Sequence, residues 1–148
     1  MSPNKKRRLF FFLGFFWILV IFTNSLLPGD ISSAQSGFVA NIIGSFLKVF
    51  NLSYTEESLS HITRTLAHGI EFGILGLIWM LYFYHQSFGY LRVWALGLSI
   101  ALFDEVIQIF VPGRAFEVFD LLIDGSGVIL GSLVVLIFPF IGKWLEDN

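Results

Sequence analysis

The sequence predicts an all-α, polytopic transmembrane bundle of about four spanning helices, with an interfacial helix in the first outer segment. Three observations predict it. Charged residues make up only 14% of the 148 residues, against 55% hydrophobic and 18% aromatic, whereas a soluble domain carries roughly 25% charged residues. A chain this short has too much surface to hide that apolar mass in a water-soluble core, and its mean hydropathy of +0.77 points to lipid as the solvent. Finally, four segments are apolar over about the 20 residues that a helix needs to cross a hydrocarbon core of about 30 Å. A helix satisfies its backbone polar groups within its own segment, which is what lipid demands.

The first span covers residues 9–27 and follows Lys5, Lys6, Arg7 and Arg8. A basic run before an apolar one is also the pattern of a signal peptide. The apolar run is long, and no small-x-small cleavage site is obvious after it, so a signal anchor fits better. Residues 28–65 form an outer segment that opens on Pro28-Gly29-Asp30 and a Ser-rich turn. There Phe38, Ile42, Phe46, Val49 and Phe50 recur at near-helical spacing, which predicts a helix on the membrane surface or packed over the bundle. Thr55-Glu56-Glu57-Ser58 reads as a helix start with Thr55 as cap, and this helix runs on into the second span at 66–84. The third span is predicted at 91–110 and the fourth at 121–141, all within one domain covering 1–148. There are no internal repeats and no low-complexity segments.

Orientation follows from the distribution of Lys and Arg in short loops. On an alternating path, Lys5, Lys6, Arg7, Arg8, Arg92 and Lys143 lie inside, six of the nine Lys and Arg. Lys48, Arg64 and Arg114 lie outside, and only Glu146 and Asp147 of the acids lie inside. The expectation is a multi-pass protein of the cell membrane with both termini cytoplasmic, and with Trp94 and Trp144 at the inner interface. The absence of cysteine excludes disulfides, thiolate zinc sites and thiol catalysis. The single short basic run lies beside an apolar segment and gives no sign of nucleic acid.

Three distant stretches place polar groups at one predicted depth. Arg64, His68 and Glu71 share a face in the outer half of the second span. Asp104, Glu105 and Gln108 end the third span. The turn Val111-Pro112-Gly113-Arg114 follows, and then Glu117, Asp120 and Asp124 share a face of the helix entering the fourth span. An ionised group at the centre of a spanning helix costs roughly 2.5–3.5 kcal/mol on insertion scales, so these groups are expected to face one another or a wet cavity. The bland alternative is that they only hold helices together, with Arg64–Glu71 and Arg114–Asp120 as natural pairs. Polar bonds between membrane helices average only about 0.6 kcal/mol, which is a weak return for such groups. Glu56, Glu57, His61 and His85 read as surface residues, Asp30 as a turn residue, and Glu117 equally well as a solvated loop acid. Gly69 with Gly73, and Gly127 with Gly131, are small-xxx-small pairs that allow close helix approach. No phosphate loop or zinc-protease motif is present. No cofactor is evident and no metal ligand is assigned, although a divalent cation could be held by His68 and the carboxylates.

The stretch Arg64-Thr-Leu-Ala-His68-Gly-Ile-Glu71-Phe72-Gly-Ile-Leu-Gly76 resembles the second-helix motif of the VanZ-like family. So does Asp104-Glu105-Val-Ile-Gln108-Ile-Phe-Val-Pro112-Gly113-Arg114-Ala-Phe-Glu117-Val-Phe-Asp120-Leu-Leu-Ile-Asp124-Gly125-Ser-Gly127. The spacing of the two blocks matches over most of the chain, including the early Ser-rich stretch. Two positions depart from the pattern: many members have Tyr where Phe72 stands and Lys where Thr65 stands, so a phenol hydroxyl is absent here. The resemblance implies a bacterial integral membrane protein linked to low-level teicoplanin resistance. It also implies kinship with the wider Lipocone group, which is proposed to act on lipid head groups. On that view the family's polar positions correspond to His68, Glu71, Glu105, Gln108, Arg114, Asp120 and Asp124.

Two functions are weighed on these residues. The first is a membrane enzyme acting on a phosphate-bearing lipid or polyprenol-linked head group at the outer leaflet. Arg114 would hold the phosphate, and His68, oriented by Glu71, would serve as base or nucleophile. Glu105 and Gln108 would position the head group or water. Asp120 and Asp124 would bind Arg114, a polar head group or a divalent cation. Arg64, Asp104 and Glu117 would complete the binding surface. The second is a non-enzymatic envelope protein that binds lipid or glycopeptide and lowers antibiotic susceptibility. A transporter has less scope, since there is no inverted repeat.

Overall fold

A computed structural model describes residues 2–50, 53–138 and 140–141. The expectations for Lys143, Trp144, Glu146 and Asp147 lie outside the described residues. The described residues form five helices: α1 (Pro3–Ser25), α2 (Gly29–Val49), α3 (Glu56–Phe83), α4 (Gly89–Gln108) and α5 (Val118–Ile137). Three of them, α1, α3 and α5, are long and apolar enough to cross a membrane. The helix α4, which answers to the expected third span, is of similar length but carries Arg92, Asp104 and Glu105 in its 20 residues, so three of the four expected spans meet that description and α4 is set apart by its charges.

The helix boundaries follow local chemistry. Pro3 stands at the first turn of α1, where its missing N–H is no loss, and the helix runs through the basic residues rather than starting after them. Thr55 caps α3 as expected, its hydroxyl accepting the Ser58 N–H at 3.2 Å. From there α3 continues without a break through the predicted second span. The turn between α3 and α4 holds Phe88 in the left-handed region at φ 57°, and Arg92 reaches back to the Gln86 side chain.

The centre of the bundle is the seam between α3 and α5. Both helices present glycines there, and the fit is backbone against backbone: a side chain at Gly131 would run into the Gly73 carbonyl, and one at Gly76 into the carbonyl of Val128. The predicted close approach of Gly73 and Gly131 is therefore realised, and Gly76 joins it. Phe72, Leu75, Val128 and Val135 close the seam with no exposed surface. From α1, Trp17 donates to the Glu71 carbonyl at 2.8 Å, and from α4, Trp94 turns inward to the Ser132 hydroxyl at 3.0 Å. Around this core the outer surface is apolar, with Phe12, Phe16, Leu19, Ile70, Phe103 and Leu122 among the exposed side chains. Apolar cover of that extent is at home in lipid and not in water.

The helix α2 packs over the bundle against α3, and Ser36 and Ser60 meet at 3.3 Å. Its predicted stripe of Phe38, Ile42, Phe46, Val49 and Phe50 faces outward and is exposed. At its start, the Gly29 N–H donates to the Pro112 carbonyl at 3.0 Å. A side chain at Gly29 would collide with Gly113, which itself adopts φ 75°. Glycine at both positions lets the α1–α2 turn close directly onto the α4–α5 loop.

Candidate functional site

Five elements bring their polar residues to one end of the bundle. The last turn of α1 supplies Asn24 and Ser25, and the first turn of α2 supplies Ser32. The helix α3 supplies Arg64, His68 and Glu71, the end of α4 supplies Asp104, Glu105 and Gln108, and Arg114 comes from the following loop. The start of α5 supplies Asp120 and Asp124. The basic residues 5–8 stand at the start of α1, the opposite end of that helix.

The predicted residues divide into three groups. Arg64, His68, Glu71, Asp104 and Arg114 line a cavity of about 350 Å³. Glu105, Gln108, Asp120 and Asp124 are buried and do not line it. Glu117 is exposed, as the solvated-acid reading expected, although its carboxylate stands 3.9 Å from Arg64. The presumed surface residues Glu56, Glu57, His61 and His85 are all exposed.

The pairing differs from the expectation at each basic group. Arg64 meets Asp120 at 3.3 Å, not Glu71. The reason is axial distance: residues seven apart on a helix are separated by about 10.5 Å along its axis, whereas Asp120 stands across the α3–α5 seam. Glu71 instead accepts the Asn24 amide at 2.8 Å, which binds it to α1. It therefore does not orient His68. The carboxylate beside His68 is that of Asp124, whose Oδ1 lies 3.4 Å from His68 Nδ1, an ion-pair distance without a hydrogen bond.

Arg114 does not pair with Asp120 or Asp124. The contact of Gly29 with Gly113 turns its side chain toward α1 and α2. It donates to the Asn24 carbonyl at 3.4 Å, the Ser25 carbonyl at 3.5 Å and the Ser32 hydroxyl at 3.2 Å. The two carbonyls belong to the last turn of α1, which carries partial negative charge, and the Asn24 carbonyl also accepts the Leu27 N–H at 3.2 Å. All these acceptors are neutral, and no carboxylate forms an ion pair with Arg114 among the described residues. Burial, together with the charge of Arg64, lowers the Arg114 pKa from its usual value; a guanidinium nevertheless stays cationic at neutral pH.

Behind the cavity, the Gln108 amide donates to Asp104 at 2.9 Å and to Glu105 at 3.4 Å. Glu105 also accepts the Glu117 backbone N–H at 2.7 Å, which ties the end of α4 to the entry of α5. These two residues stand behind the cavity and do not line it. Several polar atoms in this layer have no hydrogen-bond partner: Nε of Arg64 and of Arg114, Nδ1 of His68, Oδ1 of Asp104, and both carboxylate oxygens of Asp124. Buried polar groups are normally satisfied, and here these six atoms without a partner gather in one layer.

Sequence reasoning missed Asn24, Ser25 and Ser32 as individual residues. Each has an unremarkable side chain at a helix end, and only the tertiary fold gives it Glu71, the backbone carbonyl of Asp104, or Arg114 as a partner. The Ser-rich stretch was their one visible signal. Phe72, one of the two positions that depart from the resemblance, sits in the apolar core with no exposed surface.

A family model described as VanZ/LLP1 matches residues 10–139. The chain belongs to the VanZ/LLP1 family. Neither the curated proteins nor the solved structures that were searched gave a match. The match takes in α1 from residue 10 onward and the whole of α2 to α5, with every residue of the polar layer. VanZ/LLP1 membership agrees with the spanning helices in placing the chain in a membrane.

Proposed function

We propose that this VanZ/LLP1 protein acts on a phosphate-bearing lipid or polyprenol head group drawn from the outer leaflet. One observation carries the reading: a single cavity holds two guanidinium groups, each with a buried Nε that has no partner, and one of them has no carboxylate to neutralise it. An unspent guanidinium edge suits a phosphate, which it binds through parallel charge-assisted hydrogen bonds. The walls of the cavity favour a lipid as the bearer of that phosphate. Val39 and Ile43 of α2 and Leu66 and Ile70 of α3 line it, and all four are exposed on the outer surface. A head group can therefore enter sideways while its chains stay among apolar side chains.

Arg114 and Arg64 hold the phosphate oxygens. The His68–Asp124 pair stands beside them and activates an attacking water or head-group hydroxyl. On this reading α4, the predicted third span, crosses as well, which its exposed Leu98, Leu102, Phe103 and Val106 and its inward acids support. The basic end is cytoplasmic by the positive-inside tendency, which puts the cavity outside and both termini inside. Glycopeptide resistance follows if the head group belongs to a cell-wall precursor or alters access to one.

The test is reconstitution of the purified protein in vesicles containing phosphatidylglycerol, with phosphorus NMR and mass spectrometry of the lipids over time. Head-group release or exchange by the wild type, lost in a folded His68→Ala variant, is the expected result. Phosphate lipid that is retained but never altered would replace the enzyme with a binding protein. Orientation has its own test, because the chain lacks cysteine: single cysteines at Ser33 and at Gln86 should react and fail to react, respectively, with an impermeant maleimide on intact cells.

A further inference from the structure

The cluster at the base of the cavity has a donor set that the lipid reading uses only in part, through His68 and Asp124. His68, Asp104 and Asp124 come from three different helices, and one potential ligand atom from each lies within 4.8 Å of the other two. Asp124 is fully buried and Asp104 is 2% exposed. Both oxygens of Asp124 and Oδ1 of Asp104 lack hydrogen-bond partners. Although His68 and Asp124 stand at ion-pair distance, Nδ1 also lacks a hydrogen-bond partner, so the contact does not satisfy either group. Lone pairs of three converging residues are thus left open at the wall of the cavity. The nearest cations do not close the account: Arg64 is engaged by Asp120, and Arg114 donates to neutral oxygens.

From this geometry we propose that His68, Asp104 and Asp124 bind one divalent transition-metal cation. A divalent ion neutralises two buried carboxylates whose charge is costly in the membrane, and it supplies the missing partner of each open oxygen. One imidazole with two carboxylates suits Zn²⁺ or Mn²⁺ better than Ca²⁺, which takes oxygen ligands throughout. Spacing agrees: a tetrahedral ion with bonds of about 2.0–2.2 Å sets its ligand atoms roughly 3.4 Å apart, and the His68–Asp124 distance is 3.4 Å. Gln108, donating to the other oxygen of Asp104, holds that ligand in place, as outer-shell partners do. Since His68 and Asp104 line the cavity, the ion faces the space beside both arginines. The proposal deepens the lipid reading, for such an ion would polarise a phosphate oxygen or acidify a bound water there, but the binding itself can be tested without any lipid substrate.

The experiment uses the full chain purified in detergent, stripped with chelator and titrated with Mn²⁺. The free ion is counted by electron paramagnetic resonance, and Zn²⁺ loading is measured separately by elemental analysis after dialysis. One equivalent per chain is expected, with an electron spin-echo signal from an imidazole nitrogen coupled to the bound Mn²⁺. Asp124→Asn and Asp104→Asn should each weaken binding at least tenfold, and Glu57→Gln, an exposed acid on α3, should leave it unchanged. A wild-type protein that binds no stoichiometric ion, or binds Mn²⁺ without nitrogen coupling, overturns the proposal even if the aspartate variants fail to fold. Binding that persists unchanged in folded Asp124→Asn overturns it as well. If the ion binds as expected and no lipid is altered, the metal site stands and the lipid chemistry falls; lipid turnover by metal-free protein keeps the lipid chemistry and removes the ion from it.

Discussion

The two halves of the α3–α5 seam meet by opposite means. In the half toward the end of α3, Gly73 and Gly76 lie against the backbone of α5 at Gly127, Val128 and Gly131, and fully buried apolar side chains seal what is left. In the half toward its start, the same two helices meet through Arg64 with Asp120 and His68 with Asp124. The first half is rigid because nothing fits between the backbones. The second is polar, partly unsatisfied and open to a cavity. The difference teaches a division of labour along one helix pair: glycine contact fixes the helices, which lets a layer of costly ionisable groups be held a few turns away without themselves supplying the stability.

The sharpest way to break this comparison is to crowd the glycine half. Gly131→Leu should cost about 3 kcal/mol or more, the upper range for overpacking, because the new side chain meets backbone and not a movable side chain. Thermal or denaturant unfolding in detergent should show loss of the folded monomer. The polar half should respond far less. A double-mutant cycle on Arg64→Gln and Asp120→Asn is expected to give a coupling of about 1 kcal/mol, within the range found for polar pairs between membrane helices. A coupling as large as the Gly131→Leu effect would mean that the ionic layer, and not the glycine contact, holds the seam.

Smaller effects should map function onto the polar half. Ser32→Ala removes one acceptor from Arg114 and should weaken binding of phosphatidylglycerol roughly threefold, the scale of one hydrogen bond, with the unfolding midpoint nearly unchanged. Glu117→Gln should change stability by less than about 0.5 kcal/mol, since the carboxylate is exposed and its contact with Arg64 is long. A large loss from Glu117→Gln would move the working site from the cavity to its rim.

Much of this layout was legible in the sequence. Hydropathy gave the helices, the Thr55 cap gave the start of α3, and small-xxx-small spacing located the glycine contact. Shared helix faces gave the polar layer, because periodicity states which residues of one helix stand together. Pairing across helices was not legible. Arg64–Glu71 and Arg114–Asp120 are near in sequence, but the actual partners are set by which helix lies next to which. The turn of Arg114 toward Asn24, Ser25 and Ser32 depends on two glycines 84 positions apart, Gly29 and Gly113, packing together. Such a contact leaves no trace in either local motif. The acids of α4 belong to the same case: they are tolerable in an apolar helix because the folded bundle takes them inside.

The central claim is that Arg114 is an anion seat facing a lipid-accessible cavity. Native mass spectrometry of the purified protein, presented with phosphatidylglycerol and diacylglycerol of identical chains, tests it most directly. The wild type should prefer the phosphate lipid by at least tenfold, and folded Arg114→Gln should bind the two alike. Equal binding by the wild type, or a preference that survives in Arg114→Gln, would contradict it.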